Sequence, residues 1–251
     1  MSTEIHLLDQ EDEELEVTGF DAEAFARQAL GSRRNLAGVI DHTLLKPEAT
    51  ADQVVRLCQE AAQHGFACAM VNPTWTALAY AELAGTGIPV GVVVGFPLGA
   101  SLGSTKREEA AALVKLGAHD LDMVINVGLL KSGENHAVQQ EIRSVVDVAH
   151  EAGAIVKVIL ETCLLTVEEK LRASELAIAA GANFLKTSTG FSTAGATAED
   201  VAMLRGVAGG RCGVKASGGI RTLADARRMV EAGANRIGAS AGVAIVRELS
   251  A

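Results

Sequence analysis

Aromatic residues are scarce in this chain: 3% of 251 residues, with one Trp, one Tyr and six Phe. A core of stacked rings is thereby excluded, and the 49% hydrophobic content must pack as aliphatic side chains and alanine. Only four cysteines occur (Cys58, Cys68, Cys163, Cys212), and no two form a Cys-x-x-Cys pair. A zinc ribbon and a disulfide scaffold are both poor fits, so these are read as reduced, mostly core thiols of a cytoplasmic protein. Basic residues are also in deficit, with 22 Lys and Arg against 31 Asp and Glu, a formal charge of −9. That balance leaves no basic stripe for nucleic acid. There is no apolar run long enough to span a membrane, and residues 1–18 have neither the basic start nor the apolar stretch of a signal peptide. Instead, six acidic groups crowd residues 9–16, which reads as a solvated tail over 1–18 ahead of a single domain over 19–251.

What is abundant is glycine, 26 residues, and its placement repeats. Leu116-Gly-Ala-His, Ala152-Gly-Ala-Ile, Ala180-Gly-Ala-Asn and Ala232-Gly-Ala-Asn each close a helix-period segment and open an aliphatic run. Thr166 and Thr197, each with a carboxylate two or three residues on, open the helices between. Read this way, strands fall near 37–44, 66–71, 88–95, 120–126, 154–161, 183–187, 212–216 and 235–239. Eight strand–helix units between residues 36 and 249 average about 27 residues each, the usual size of such a repeat. Alternation predicts a parallel sheet, and eight units predict closure into an α/β (β/α)8 TIM barrel. An open doubly wound sheet is the weaker alternative, because no Gly-x-Gly-x-x-Gly turn follows the first strand. Residues 19–30 form an amphipathic helix whose apolar face (Phe20, Phe25, Leu30) is expected to cap the closed end of the barrel or to meet a partner subunit.

Side chains alternate along a strand, so polar residues two apart share a face. Asp41 pairs with Thr43, Asp120 with Asp122, Lys157 with Glu161, and Lys215 with Ser217. The outer face of a barrel strand is covered by helices, which sends these groups inward, toward the mouth where barrel active sites form. Salt bridges filling the barrel account for Asp120, Lys157 and Glu161 as well as chemistry does. They do not account for Lys186 and Lys215 on adjacent strands: two nearby buried amines disfavour double protonation, so one can be neutral and nucleophilic. That is the requirement of Schiff-base catalysis. By the same alternation His42 points away from Asp41 and is expected to be a packed or capping histidine.

Glycine-rich turns follow strands seven and eight, Ser217-Gly-Gly-Ile-Arg-Thr222 and Arg236-Ile-Gly-Ala-Ser-Ala-Gly242. Loops at those places often bind phosphate through backbone amides. Gly218, Gly219, Gly238 and Ser240 are the expected cradle.

With these residues laid out, the chain resembles the deoxyribose-phosphate aldolases, class I enzymes. The motifs are Ile40-Asp-His-Thr-Leu-Leu45, Val71-Asn-Pro73, Gly95-Phe-Pro97, Asp122-Met-Val-Ile-Asn-Val-Gly128, Lys157-Val-Ile-Leu-Glu-Thr162, Phe184-Leu-Lys-Thr-Ser-Thr-Gly190 and Val214-Lys-Ala-Ser-Gly-Gly-Ile-Arg221. They cover residues 36–248 in order and at barrel spacing. The resemblance implies Lys186 as the Schiff-base lysine, Lys215 as the amine that lowers its pKa, and Asp122 as the carboxylate of a proton relay. It implies Asp41, Thr43 and Thr187 as contacts to the sugar, with no cofactor and no metal. The partners implied are phosphosugar and aldehyde substrates and further copies of the chain, as a dimer or tetramer. Alternatives are a Schiff-base aldolase for another phosphosugar, or a non-catalytic phosphosugar-binding barrel, which has no need of paired buried amines.

Three departures from the family pattern carry expectations. Met70 stands where relatives often have a cysteine near the bound aldehyde, and a thioether cannot add to an unsaturated aldehyde as a thiolate can, so better aldehyde tolerance is expected. Phe191 replaces a basic residue found after Ser-Thr-Gly in some relatives. The one tyrosine is Tyr80, so proton transfer assigned in some relatives to a terminal tyrosine falls here to water or the core residues.

Overall fold

The structure, a computed structural model, describes residues 19–250; the acidic segment 9–16 and the boundary at residue 18 lie outside them. Eight parallel strands close into a barrel in sequence order, β1 (Ile40–Leu44), β2 (Cys68–Val71), β3 (Val90–Val94), β4 (Ala118–Val124), β5 (Ile155–Ile159), β6 (Phe184–Lys186), β7 (Gly213–Ser217) and β8 (Arg236–Ala239). Helices α1 (Ala22–Ala29) and α2 (Arg33–Ala37) precede β1. The intervening helices are α3 (Ala51–His64), α4 (Thr76–Glu82), α5 (Gly103–Lys115), α6 (Val127–Lys131), α7 (Asn135–Glu151), α8 (Val167–Ala179), α9 (Ala198–Ala208) and α10 (Leu223–Glu231), with α11 (Gly242–Glu248) last. No helix among the described residues is long and apolar enough to cross a membrane.

Local chemistry explains the boundaries. Thr166 and Thr222 close capping boxes with Glu169 and Asp225, and Thr197 accepts from the Asp200 amide. The four repeating glycines, Gly117, Gly153, Gly181 and Gly233, all have positive φ, the left-handed geometry that stops each helix and turns the chain into a strand. Six observed strands lie inside the predicted ones, and β7 runs one residue past, to Ser217. β4 instead starts two residues early, at Ala118, because the register shifts against β3 and leaves His119 exposed in a bulge.

The helix ahead of β1 packs on the barrel through part of its apolar face. Helix α1 buries Ala26 and Ala29, while Phe20, Phe25 and Leu30 are only half-buried. It packs on α10 and α2, and Phe20 lies 3.9 Å from the Arg205 guanidinium. Arg205 in turn binds the carbonyls of Gly233 and Cys212, just before β8 and β7. The helix therefore lies at the closed end, with Phe25 and Leu30 packed against the main core.

Strand alternation divides the two faces as predicted. Val92, Leu121, Met123, Val156, Val158, Leu185, Val214 and Ile237 are buried in the main core shared with the helices. The inward face is mostly polar, with a small separate cluster of Leu45, Cys68, Met70, Val93 and Phe96.

Candidate active site

Three lysines and three aspartates meet inside the barrel. Lys186 and Lys215 are paired across β6 and β7, and Asp122 is level with Lys157 across β4 and β5. Lys186 Nζ and Lys215 Nζ each donate to Asp122 Oδ2 at 2.6 Å. Lys215 also donates to Asp41 at 2.5 Å, and Asp41 accepts from Arg236 at 3.0 Å. Lys157 sits 2.5 Å from Asp120, 3.2 Å from Asp122 and 3.6 Å from Asp41. All six lysines and aspartates are buried.

Four cations (Lys157, Lys186, Lys215, Arg236) thus face three carboxylates (Asp41, Asp120, Asp122). Fully ionised, this closed cluster would hold one uncompensated positive charge, which is costly away from water; releasing one proton makes it neutral. Geometry selects the donor of that proton. Lys157 has three carboxylates in reach and Lys215 two, whereas Lys186 has only Asp122.

The proton affinities of Lys186 and Lys157 differ in the same sense. Burial depresses the Lys186 ammonium; Asp122 opposes this, but Lys215 and Lys157 push the same way as burial, and the pKa falls to about 8. Burial also disfavours charged Lys157, yet Asp120, Asp122 and Asp41 outweigh it and hold that ammonium above the ordinary lysine range. For Asp122, burial is overcome by Lys157, Lys186 and Lys215, which keep its carboxyl well below the usual range. Asp41 likewise overcomes burial through Lys215, Lys157 and Arg236 and is lowered to about 2.

Above this cluster a cavity of about 250 Å³ opens at the C-terminal mouth. Lys186 and Lys215 form its floor, and Thr43, Thr189, Phe191, Ser217, Gly218, Gly219, Gly238 and Ser240 are in its wall. Gly218 and Gly219 both have positive φ, and Gly195 approaches Gly218 so closely that a Cβ there would overlap its carbonyl. Gly238 has a second constraint: a Cβ would lie 2.8 Å from that of Ser217 and 3.1 Å from Lys215 Cε. Glycine at 238 therefore clears the path of the Lys215 side chain.

Two expected sugar contacts do not reach this cavity. Asp41 lies beneath Lys215 with both oxygens engaged by Lys215 and Arg236. Thr187 is fully buried, and its hydroxyl bonds to the Ser217 backbone, tying β6 to β7. Thr43 lines the wall and donates to the Asp41 carbonyl at 2.8 Å. His42 is packed as expected, stacked on Phe66 and 2.8 Å from Glu60. Met70 is fully buried in the small apolar cluster, of which Leu45 lines the cavity.

Some residues of the site were not foreseen. Arg236 completes the charge count; its inward face was readable from Gly238 two residues on. Glu161, expected to face the barrel axis, lies past the end of β5 at φ 58° and accepts from Thr189. Asp41, Cys68 and Asp120 lie close enough to ligate one cation. They do not suit one: Lys215, Arg236 and Lys157 already neutralise both carboxylates, and burial, then Asp120 and Asp41, hold the Cys68 thiol well above its usual pKa.

Residues 36–249 match the DeoC/LacD family aldolase sequence pattern. The chain belongs to this aldolase family. It is 57% identical over 212 residues to a deoxyribose-phosphate aldolase of Bacillus mycoides, covering 84% of this chain and 95% of that one. A deoxyribose-phosphate aldolase of Listeria monocytogenes is 56% identical over 211 residues, covering 84% and 94%. Among solved structures, the tetrameric deoxyribose phosphate aldolase of Aeropyrum pernix superimposes with a TM-score of 0.83 at 37% identity, over 91% of this chain and 96% of that one. An aldolase designated QR15 gives 0.80 at 40% identity, over 84% and 94%.

Proposed function

We propose that this chain reversibly cleaves 2-deoxy-D-ribose 5-phosphate to acetaldehyde and D-glyceraldehyde 3-phosphate through a Schiff base on Lys186. The observation that carries this reading is a buried amine with pKa near 8 at the floor of a cavity, one carboxylate beside it and a glycine-rich wall above it.

In cleavage, neutral Lys186 Nζ attacks the aldehyde carbon of the open-chain sugar, and the carbinolamine loses water to give an iminium. The iminium withdraws electrons as the sugar's C3 hydroxyl gives up its proton. The C2–C3 bond then breaks, releasing glyceraldehyde 3-phosphate and leaving an enamine. Protonation of the enamine carbon and addition of water free acetaldehyde and restore the amine. Asp122 and Lys215, with a water between them and the substrate, move these protons. Lys215 also keeps Lys186 from holding its own proton. Gly218, Gly219, Gly238 and Ser240 receive the phosphate, and Thr43 faces the sugar. Lys157 and Asp120 lie deeper and fix Asp122.

Four separate free thiols support a cytoplasmic location. We place the chain in a homo-oligomer on its likeness to the Aeropyrum pernix tetramer. Incubation with the phosphosugar in the presence of a chelator tests the function: equal yields of both aldehydes are expected. A folded sample that cleaves another phosphosugar in preference, or none, would overturn it.

A further inference from the structure

Glu161 is a buried carboxylate that the chemistry above does not use. It is also the one non-glycine residue with positive φ among the described residues, and such strain persists only where neighbours enforce it. The enforcement comes from β6. On either side of Glu161, the Leu160 amide donates to the Lys186 carbonyl at 2.9 Å and the Thr162 amide to the Thr187 carbonyl at 3.0 Å. The strained residue thus lies directly beside the segment carrying Lys186.

Its left-handed backbone swings the carboxylate away from the barrel axis and onto Thr189. The Thr189 hydroxyl donates to Glu161 Oε2, and the Thr189 amide lies 3.3 Å from Oε1. The same hydroxyl accepts from the Phe191 amide at 3.0 Å, so Phe191, Thr189 and Glu161 form one chain of bonds ending on a charge. Phe191 in turn meets Phe96 edge-on, with centroids 5.2 Å apart.

Space is available for this loop to move. Thr189 and Phe191 line the active cavity on one side and, with Glu161, a second cavity of about 120 Å³ on the other. The loop is a partition between two voids, and packing alone does not fix it.

We propose that Glu161 is a positioning residue. Through Thr189 it holds the Thr189–Phe191 wall in the shape that receives the phosphorylated aldehyde, without entering the chemistry at Lys186. The proposal rests on the aldolase reading above and adds a determinant of acceptor binding to it.

The test uses Glu161→Gly, which removes the carboxylate and relieves the backbone, Glu161→Gln, which keeps the shape, and Thr189→Val, each checked for folding by circular dichroism. Cleavage of 2-deoxyribose 5-phosphate is measured beside borohydride trapping of acetaldehyde on Lys186. Expected is a rise in KM of about ten-fold for Glu161→Gly and Thr189→Val, and a smaller one for Glu161→Gln, the loss of a charged hydrogen bond. The turnover number and the trapping rate should stay within about two-fold of wild type. The double variant Glu161→Gly/Thr189→Val should be no worse than either single one. An unchanged KM in the folded variants, additive losses, or trapping that falls as KM rises would overturn the proposal. Failure of the wild-type protein to cleave the phosphosugar would instead count against the aldolase reading.

Discussion

Lys186 and Lys215 share one acceptor, the Oδ2 atom of Asp122, each at 2.6 Å. One carboxylate oxygen cannot fully compensate two ammonium groups, so the pair favours a state with a single proton fewer. Replacing Lys215 by Met removes a cation that holds Lys186 down. The pH midpoint of borohydride trapping should then move up from about 8 toward the ordinary lysine range. Cleavage at pH 7 should fall by about ten- to a hundred-fold, through loss of neutral amine and of a relay group. An unmoved midpoint would contradict the electrostatic role of Lys215.

Lys186 also carries a stability signature. Its folded pKa, about 8, lies below the ordinary value of 10.5, so between these limits the unfolded chain binds more protons than the folded one. Stability therefore rises with pH across that window, and the cost of charging Lys186 is fully present below it. Lys186→Met should be more stable than wild type at pH 7, by on the order of 2–3 kcal/mol in urea unfolding. That advantage should shrink as pH rises from 8 to 10.5. A variant less stable than wild type at pH 7 would argue against the surplus-charge account.

Deeper in the barrel, Lys157 and Asp120 form a 2.5 Å pair in which neither member reaches the cavity. Asp120→Asn should cost about 3–5 kcal/mol, because it leaves a buried ammonium under-compensated. Lys157→Met should cost a similar amount. The double variant Asp120→Leu/Lys157→Met should recover most of that loss, and chemical denaturation of the four proteins measures the coupling. Strictly additive losses would show that the two residues do not act as a pair.

Met70 and Cys68 bear on aldehyde tolerance. Cys68 is fully buried, with its thiol held well above the usual pKa by burial first and then by Asp120 and Asp41, so it should be inert. Exposure to crotonaldehyde followed by peptide mass mapping should leave Cys68 unmodified and activity intact. Met70→Cys should lose activity faster than wild type. The contrast should be modest, since Met70 is fully buried among Leu45, Val93 and Phe96 and a thiol there is shielded. Equal inactivation of the two proteins would remove position 70 from the explanation.

The sequence carried the faces of the strands but not the heights of the residues. Asp41 was legible as inward from Thr43, and Asp122 from Asp120, because parity alone decides the face. Height depends on strand tilt and on how far each strand is staggered around the barrel, which no single strand reveals. That is why Asp41 lies under Lys215 and off the cavity wall. The same gap hid Arg236, which joins the cluster only when β8 closes on β1. Thr187 stays off the cavity wall for another reason: Lys186 turns inward, and its neighbour turns outward onto the Ser217 backbone. For Glu161, alternation failed where the strand ended and a positive φ redirected the side chain.

The central claim is that Lys186, alone among the barrel lysines, is nucleophilic. Incubation with acetaldehyde and borohydride, followed by peptide mass mapping, tests it most directly. An ethyl group on Lys186, absent when Lys186 is replaced by Ala, is the predicted result. An adduct on Lys215 or Lys157, or none on a folded sample, would contradict it.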